Sequence, residues 1–128
     1  MSFRCPQCAT RDGLEIEGSI ELPPDRDAQE LCLQVVVCKA CTFRGLAVYS
    51  EGRGDCPESE TWNHIGYWVS PDAVDSVAAA IRSCPNPHDS QCTCPAHVEL
   101  GQKDIRGRWR GLLELEHGHT FAMRLFLG

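Results

Sequence analysis

The sequence has no run of apolar residues long enough to cross a bilayer, which takes about 20 residues in a helix. Its first residues, MSFRCPQC, lack the apolar core of a secretory signal peptide. An excess of basic residues is also missing, since 12 Lys and Arg stand against 18 Asp and Glu, for a net charge of −6. These absences argue against a membrane protein and against a nonspecific binder of phosphate backbones. We therefore expect a cytoplasmic protein.

Motifs of common enzyme classes are missing as well. The sequence shows no nucleophile elbow, no glycine-rich phosphate-binding loop, no metalloprotease motif and no internal repeat. A chain of 128 residues can bury only a modest core, which bound metal ions would help to stabilise.

Cysteine, by contrast, is abundant, with nine residues. In a reducing compartment such thiols are more often metal ligands than disulfide partners. The clearest pattern is two C-x2-C pairs, CPQC at 5–8 and CKAC at 38–41. Each pair lies on a tight turn that aims two sulfurs at one point, and two such turns complete a tetrahedron. The spacing predicts a zinc site at Cys5, Cys8, Cys38 and Cys41, with iron as an alternative ion.

The residues between and after these pairs follow a strand pattern. Apolar and polar residues alternate in LEIEGSIEL at 14–22 and ELCLQVVV at 30–37, and FRGLAVYS at 43–50 reads as a third strand. Turn-forming residues fill PPDRDAQ at 23–29. A three-stranded antiparallel sheet is predicted, and Cys32 is interpreted as a small hydrophobic residue on its middle strand.

The order CPQC, hairpin, VVVCKAC and FRGLAV resembles the zinc ribbons of the transcription machinery, including transcript-cleavage elongation factors, over about residues 5–50. The resemblance implies a structural zinc ion and the ribbon fold. In those factors an adjacent Asp-Glu pair at the hairpin tip reaches a polymerase active site. Here Arg26 separates Asp25 from Asp27, so the pair is absent. We interpret both aspartates as turn residues.

A helix is predicted over SPDAVDSVAAAIRS, residues 70–83. Ser70 can cap it, Pro71 suits the first helical position, and Val74, Val77, Ala78 and Ile81 form one apolar face. The helix should end near Ser83, because Pro85 disfavours helical geometry at the preceding residue.

The stretch that follows, CPNPHDSQCTCPAH at 84–97, holds three cysteines and two histidines. Cys92 and Cys94 point the same way in an extended chain. With Cys84 and His97 they make a set of three thiolates and one imidazole, which predicts a second, closed zinc site. His88 and Cys56 are rival fourth ligands. Unligated thiols, or an open catalytic site, are the alternatives.

The C-terminal residues GRWRGLLELEHGHTFAMRLFLG read as a β-hairpin that turns at EHGH. An open edge of its last strand would allow a homodimer. Basic residues gather in KDIRGRWRG at 103–111, where Trp109 between Arg106 and Arg110 could stack on a base of a single-stranded nucleic acid. Trp62, Tyr67 and Trp68 are expected to pack on the sheet, with a partner-binding patch as the alternative.

These observations predict an α+β protein with a zinc ribbon at 1–50. Residues 51–128 are expected to supply the helix, the second Cys/His site and the hairpin, packed with the ribbon as one compact unit. We expect two zinc ions and a non-catalytic module for protein interaction or regulation, with a transcription complex as one candidate partner. The alternatives are single-stranded nucleic-acid binding and a zinc-dependent or thiol enzyme using residues 84–97.

Overall fold

The computed structural model describes residues 2–26, 28–52, 62–115 and 118–123. Six strands form one antiparallel sheet in which each strand pairs with the next along the chain. The strands are β1 (Ser2–Phe3), β2 (Leu14–Leu22), β3 (Ala28–Cys38), β4 (Arg44–Gly52), β5 (Trp62–Tyr67) and β6 (Thr120–Ala122). The helices are α1 (Pro71–Ser83), α2 (Pro95–Leu100) and α3 (Arg110–Leu115). A mainly β architecture with short helices agrees with the predicted α+β class.

The three strands expected between and after the C-x2-C pairs are β2, β3 and β4. Their register runs from Leu14 opposite Cys38 to Leu22 opposite Leu31, and from Val37 opposite Arg44 to Ala28 opposite Gly52. The sheet then continues past residue 50 into β5 and β6. These three strands are therefore part of a wider sheet.

The sheet is buried on both faces, at different places along its strands. On one face α1 covers Val35 and Leu46 with Val74 and Ala78, and Ile20, Leu33 and Val48 extend this core toward residues 84 to 109. On the other face a second core gathers the residues around the first cysteine pairs: Phe3, Cys5, Leu14, Val36, Cys38, Phe43, Ala47 and Met123. This explains the unbroken apolar run in VVVC, because successive residues of β3 face different cores.

Helix α1 forms as its sequence predicts. The Ser70 hydroxyl accepts a hydrogen bond from the Ala73 amide at 3.2 Å, and a proline occupies the first turn. The helix ends at Ser83, and the Cys84 amide donates to the Ala80 and Ile81 carbonyls. The first residue of the second cysteine stretch is thereby tied to the end of a helix that packs on the sheet.

The predicted C-terminal hairpin is wrong. Residues 110–115 form α3, and β6 pairs with β5, with Ile65 opposite Ala122 and Tyr67 opposite Thr120. Leucine and glutamate, which fill GLLELE, are strong helix formers, and a short apolar run does not by itself distinguish helix from strand. The later strand, β6, pairs instead with β5, which already pairs with β4 on its other side. Residues 124–128 of the predicted strand lie outside the described residues.

The tip of the β2–β3 hairpin is attached to the C-terminal half of the chain. Asp25 is only 8% exposed. Its carboxylate accepts hydrogen bonds from the Ala28 amide and from the Trp109 amide, each at 2.7 Å. The Arg26 amide donates to the Gly107 carbonyl at 2.9 Å. Asp25 is thus a turn residue, as predicted, and its carboxylate also attaches the hairpin tip to Trp109, while Asp27 lies outside the described residues.

Replacing Asp25 with alanine is expected to lower the free energy of unfolding by about 3 kcal/mol, because two charge-assisted hydrogen bonds are lost and the buried Trp109 amide is left without its acceptor. Asp72→Ala, at an exposed position in the first turn of α1, is the matched control and should cost less than about 1 kcal/mol. Chemical denaturation of the zinc-loaded proteins measures both values. Equal stabilities for the two variants would show that the Asp25 contacts do not hold the hairpin tip.

Candidate metal centres

The first cluster consists of Cys5, Cys8, Cys38 and Cys41, whose sulfur atoms all lie within 4.8 Å of one another. The Cys5 and Cys41 sulfurs are 3.6 Å apart, and those of Cys8 and Cys38 are 3.7 Å apart. A tetrahedral zinc ion with Zn–S bonds of about 2.3 Å requires sulfur–sulfur distances of about 3.8 Å. The four side chains can therefore hold one such ion.

Backbone amides surround the sulfurs of this cluster. The amide of Gln7 lies 3.4 Å from the Cys5 sulfur, that of Ala40 lies 3.3 Å from Cys38, and that of Phe43 lies 3.4 Å from Cys41. Each donates toward a sulfur two residues earlier, as a tight turn of the C-x2-C kind permits. Such bonds favour the thiolate, which is the form that binds a metal.

The four thiols differ in pKa. Burial raises the pKa of Cys5 to about 12, whereas a hydrogen bond with the Thr10 hydroxyl lowers the pKa of the exposed Cys8 to about 6. The cluster thus contains a thiol that ionises readily beside one that resists ionisation. A divalent cation supplies the charge that converts all four sulfurs to thiolates, so metal binding should release protons.

One residue of the first turn has a strained backbone. Ala9, directly after Cys8, has a φ of +64°, in the left-handed region that side chains other than glycine enter at a cost of about 1–2 kcal/mol. We expect Ala9→Gly to raise the free energy of unfolding of the zinc-loaded protein by about 1 kcal/mol, since glycine removes this strain. Ala40→Gly, in the other turn, has no such strain to relieve and should be neutral or destabilising. Denaturation of both variants checks the pair, and a destabilised Ala9→Gly would contradict the assignment of strain.

The second cluster consists of Cys84, Cys92, Cys94 and His97, whose ligand atoms also lie within 4.8 Å of one another. The sulfurs of Cys84 and Cys92 are 3.7 Å apart, and the Cys84 sulfur lies 3.3 Å from His97 Nδ1. A tetrahedral zinc ion with these donor types needs separations of about 3.6–3.8 Å. The second group can hold an ion as well.

Two helix ends position three of these four residues, and Cys92 lies in the loop between the helices. Cys84 follows the last turn of α1, and Cys94 is the N-cap of α2, where its sulfur accepts from the His97 amide at 3.3 Å. That hydrogen bond lowers the pKa of Cys94, while burial raises the pKa of Cys84 to about 11. As in the first cluster, a cation is needed to ionise the buried thiol.

His97 has the orientation expected of a metal ligand. The side chain is 1% exposed, and its Nε2 donates to the backbone carbonyl of Glu21 on β2. Because a carbonyl oxygen only accepts hydrogen bonds, the proton lies on Nε2, which leaves the lone pair of Nδ1 directed at the thiols. A second hydrogen bond of this kind commonly orients a ligating imidazole. Of the rival ligands, His88 is exposed and outside the group, and Cys56 lies outside the described residues.

The second cluster is docked on the edge of β2. Glu21 uses both of its backbone groups there, since its amide donates to the Pro87 carbonyl at 2.6 Å and its carbonyl accepts from His97. The described part of β1 pairs only with Leu14 and Glu15 of β2, so the loop of the second cluster covers an edge further along that strand. Covered edges protect a sheet from pairing with other chains. No pattern in the sequence indicated this attachment.

Trp109 does not take part in an exposed basic surface. Its side chain is 2% exposed, and its indole nitrogen donates to the Leu100 carbonyl at 2.7 Å. The stacking role considered for Trp109 in nucleic-acid binding is therefore wrong, because the ring is enclosed in the core. Arg106 and Arg110 are exposed on either side of it.

The aromatic residues before α1 divide between core and surface. Tyr67 is buried, whereas Trp68 is 37% exposed and makes edge contacts with Phe43 and Phe121. The side chain of Trp62 is not among those the structure describes. Packing on the sheet is thus confirmed for Tyr67, and Trp68 lies at the border of an aromatic cluster.

Two further residues of types that can bind a metal, His64 and Cys32, lie on strands of the sheet. His64 Nε2 lies 2.6 Å from Gln34 Oε1, and burial lowers the pKa of the imidazole. Cys32 belongs to neither cluster, and burial raises its pKa to about 11. This agrees with its interpretation as a small hydrophobic residue. The two metal-binding groups found among the described residues contain no carboxylate.

Comparisons with known proteins return no relative for this chain. No family model matches it, no curated protein matches it, and no solved structure matches it. The class of the protein therefore follows from the geometry of the two clusters, which make it a protein with two potential metal centres. In the part of the chain that the structure describes, no helix is both long and apolar enough to span a membrane.

Proposed function

We propose that this chain is a non-catalytic zinc protein whose two ions organise a surface for a protein partner. The observation that carries the proposal is that each cluster brings together four protein donors within 4.8 Å. Four protein ligands complete the tetrahedral shell of a structural zinc ion, whereas catalytic zinc keeps one position for water or substrate.

The enzyme alternative at residues 84–97 has less support. A catalytic zinc needs a general base near its open position. Two carboxylates lie close to these ligands in the sequence, Asp89 and Glu99, and both are exposed; Asp89 also accepts a hydrogen bond from the Gln91 amide at 2.9 Å. Cys84, whose sulfur lies 3.3 Å from His97 Nδ1, is buried and burial raises its pKa, which opposes a nucleophilic role in the metal-free state.

A protein partner fits the surface beside the first cluster. Trp68 is 37% exposed and rests against Phe43, whose amide also faces the Cys41 sulfur. Tryptophan at a rigid, partly exposed position is typical of interaction hot spots. The ribbon resemblance makes a subunit of a transcription complex one candidate partner. The hairpin tip is engaged by Trp109, so such a partner would bind elsewhere than at an acidic tip.

Zinc content tests the metal assignment. Elemental analysis with native mass spectrometry should find two zinc ions per wild-type chain and one in Cys94→Ser, because a site that loses one of four ligands loses most of its affinity. One ion in both proteins would show that the second cluster holds free thiols. Iron in place of zinc would refute the zinc assignment while leaving the ligand set intact.

The partner assignment needs its own measurement. Affinity capture at physiological salt, followed by identification of the bound proteins, should recover a partner with wild type that is lost with Trp68→Ala. Ile105→Ala is the matched control, since Ile105 is an exposed apolar side chain in another part of the molecule. Loss of the partner with both variants, or with neither, would argue against the surface around Trp68.

A further inference from the structure

A cavity of about 510 Å³ lies between the sheet and the three helices. The sheet contributes Leu33 and Leu46 to its lining. The helical side contributes Val77 of α1, Leu100 of α2 and Leu115 of α3, together with Trp109, which precedes α3. Its size falls in the range of sites for small molecules, about 300–1,000 Å³, and its lining combines apolar side chains with a few polar ones, as such sites do. Neither metal cluster contributes a ligand side chain to it.

The cavity has polar residues among its lining. Ser76, Glu99, Gln102 and Arg110 line it and are exposed. Arg110 Nη1 donates to Gln102 Oε1 at 3.4 Å, which orients the guanidinium. Arg110 and Glu99 are the charged residues that line the cavity, and Lys103, Arg106 and Arg108 lie close to Arg110 in the sequence, together with Asp104. The exposed guanidinium of Arg110 is the lining group that can pair with an oxyanion.

The second metal cluster joins two of the cavity walls. Val77 lies on the helix that ends at Cys84, and Leu100 lies on the helix that begins after Cys94. An ion held by both cysteines fixes the separation of α1 and α2, and with it the width of the cavity. Loss of the ion would let these two walls move independently, which couples ligand binding to metal binding.

We propose that this cavity binds a small amphipathic anion, with an aromatic or aliphatic body between the sheet and helices and a carboxylate, sulfonate or phosphate group facing Arg110. The metal ion of the second cluster holds the site in its binding shape, and this coupling rests on the proposed function. Apolar burial supplies most of the affinity. Arg110 selects the anion, since its planar guanidinium pairs with oxyanions.

Fluorescence titration of the zinc-loaded protein with 8-anilinonaphthalene-1-sulfonate tests the site. We expect saturable binding of one dye per chain, weakened at least about tenfold in Ala73→Phe, because Ala73 of α1 lines the cavity and the new ring would enter it. Ala79→Phe, on the exposed side of the same helix, should bind as wild type does. Ser76→Phe is the second filling variant if Ala73→Phe fails to fold. Equal affinity in wild type and the filling variants, or no saturable binding, would overturn the proposal.

A second dye separates the anion from the apolar body. N-phenyl-1-naphthylamine has the same aromatic body without the sulfonate. Arg110→Gln should weaken binding of the sulfonate at least about fivefold and change binding of the neutral dye less than about twofold. Equal losses for both dyes would refute recognition of the anion by Arg110.

Cys94→Ser tests the coupling to the metal. It should lower both the zinc content and the affinity for the sulfonate. A lower zinc content with unchanged dye affinity would refute the coupling. Wild-type protein that contains no zinc but binds the dye, and loses it in Ala73→Phe, would refute the proposed function and leave the cavity site standing.

Discussion

Serine in place of Cys38 is expected to leave the chain with one zinc ion instead of two and without a cooperatively folded sheet. Cys38 is the last residue of β3, it is buried, and it lies opposite Leu14 of β2. A metal ion held by Cys38 would therefore be linked directly to β3, which pairs with both β2 and β4. Binding of structural zinc contributes about 10–16 kcal/mol in small domains, which matches or exceeds a typical total stability of about 5–15 kcal/mol.

Zinc analysis and circular dichroism of the Cys38 variant measure the two expected losses. Cys32→Ser is the matched control because Cys32 lies on the same strand, outside both clusters. The control should keep two zinc ions and lose less than about 1.5 kcal/mol of stability, as expected for one small, partly buried side chain. Cys38→Ser protein with two ions and a wild-type melting curve would show that the first cluster is not a metal site.

The second large effect is expected at His97. Its replacement by alanine removes a ligand of the second cluster and leaves the Glu21 carbonyl without its donor. It also opens space at a side chain that is 1% exposed. We expect the loss of one zinc ion and a decrease of about 3 kcal/mol or more in the free energy of unfolding.

His88 provides a control within the same loop. It is exposed and outside the metal-binding group, so His88→Ala should keep both ions and change stability by less than about 0.5 kcal/mol. Zinc analysis and denaturation of the two histidine variants give the comparison directly. Loss of an ion with His88→Ala, and none with His97→Ala, would reverse the ligand assignment.

Both metal-binding groups could be predicted from local spacing, for a physical reason. A C-x2-C turn brings two sulfurs together whatever surrounds it, and a cysteine at a helix end is placed by the proline that stops the helix. The alternation in LEIEGSIEL likewise predicts a strand from its own residues. To assign the residues of two separate turns to one site, one more assumption was needed. The assumption is that the sulfurs held by each turn lie close to those of the other.

The errors fall where a residue's environment comes from distant parts of the chain. The sequence predicts Asp25 only as a turn residue and Trp109 as an exposed ring that stacks on bases. In the structure both residues are buried, and the Trp109 amide donates a hydrogen bond to the Asp25 carboxylate, 84 positions away in the chain. Residues 110–115 alternate as a strand would, but the partner for the later residues is β5, already bound into the sheet. Neither contact has a local signature.

The sequence by itself thus determined the two groups of candidate metal ligands, three strands of the sheet and the capped helix, because each depends on turns, caps and periodicities within a few residues. Only the tertiary structure decided that the second cluster is docked on Glu21, that the hairpin tip is closed by Trp109, and that helices tied to a metal cluster line a cavity. These features depend on which edges and faces meet, and that is set by the packing of the whole sheet.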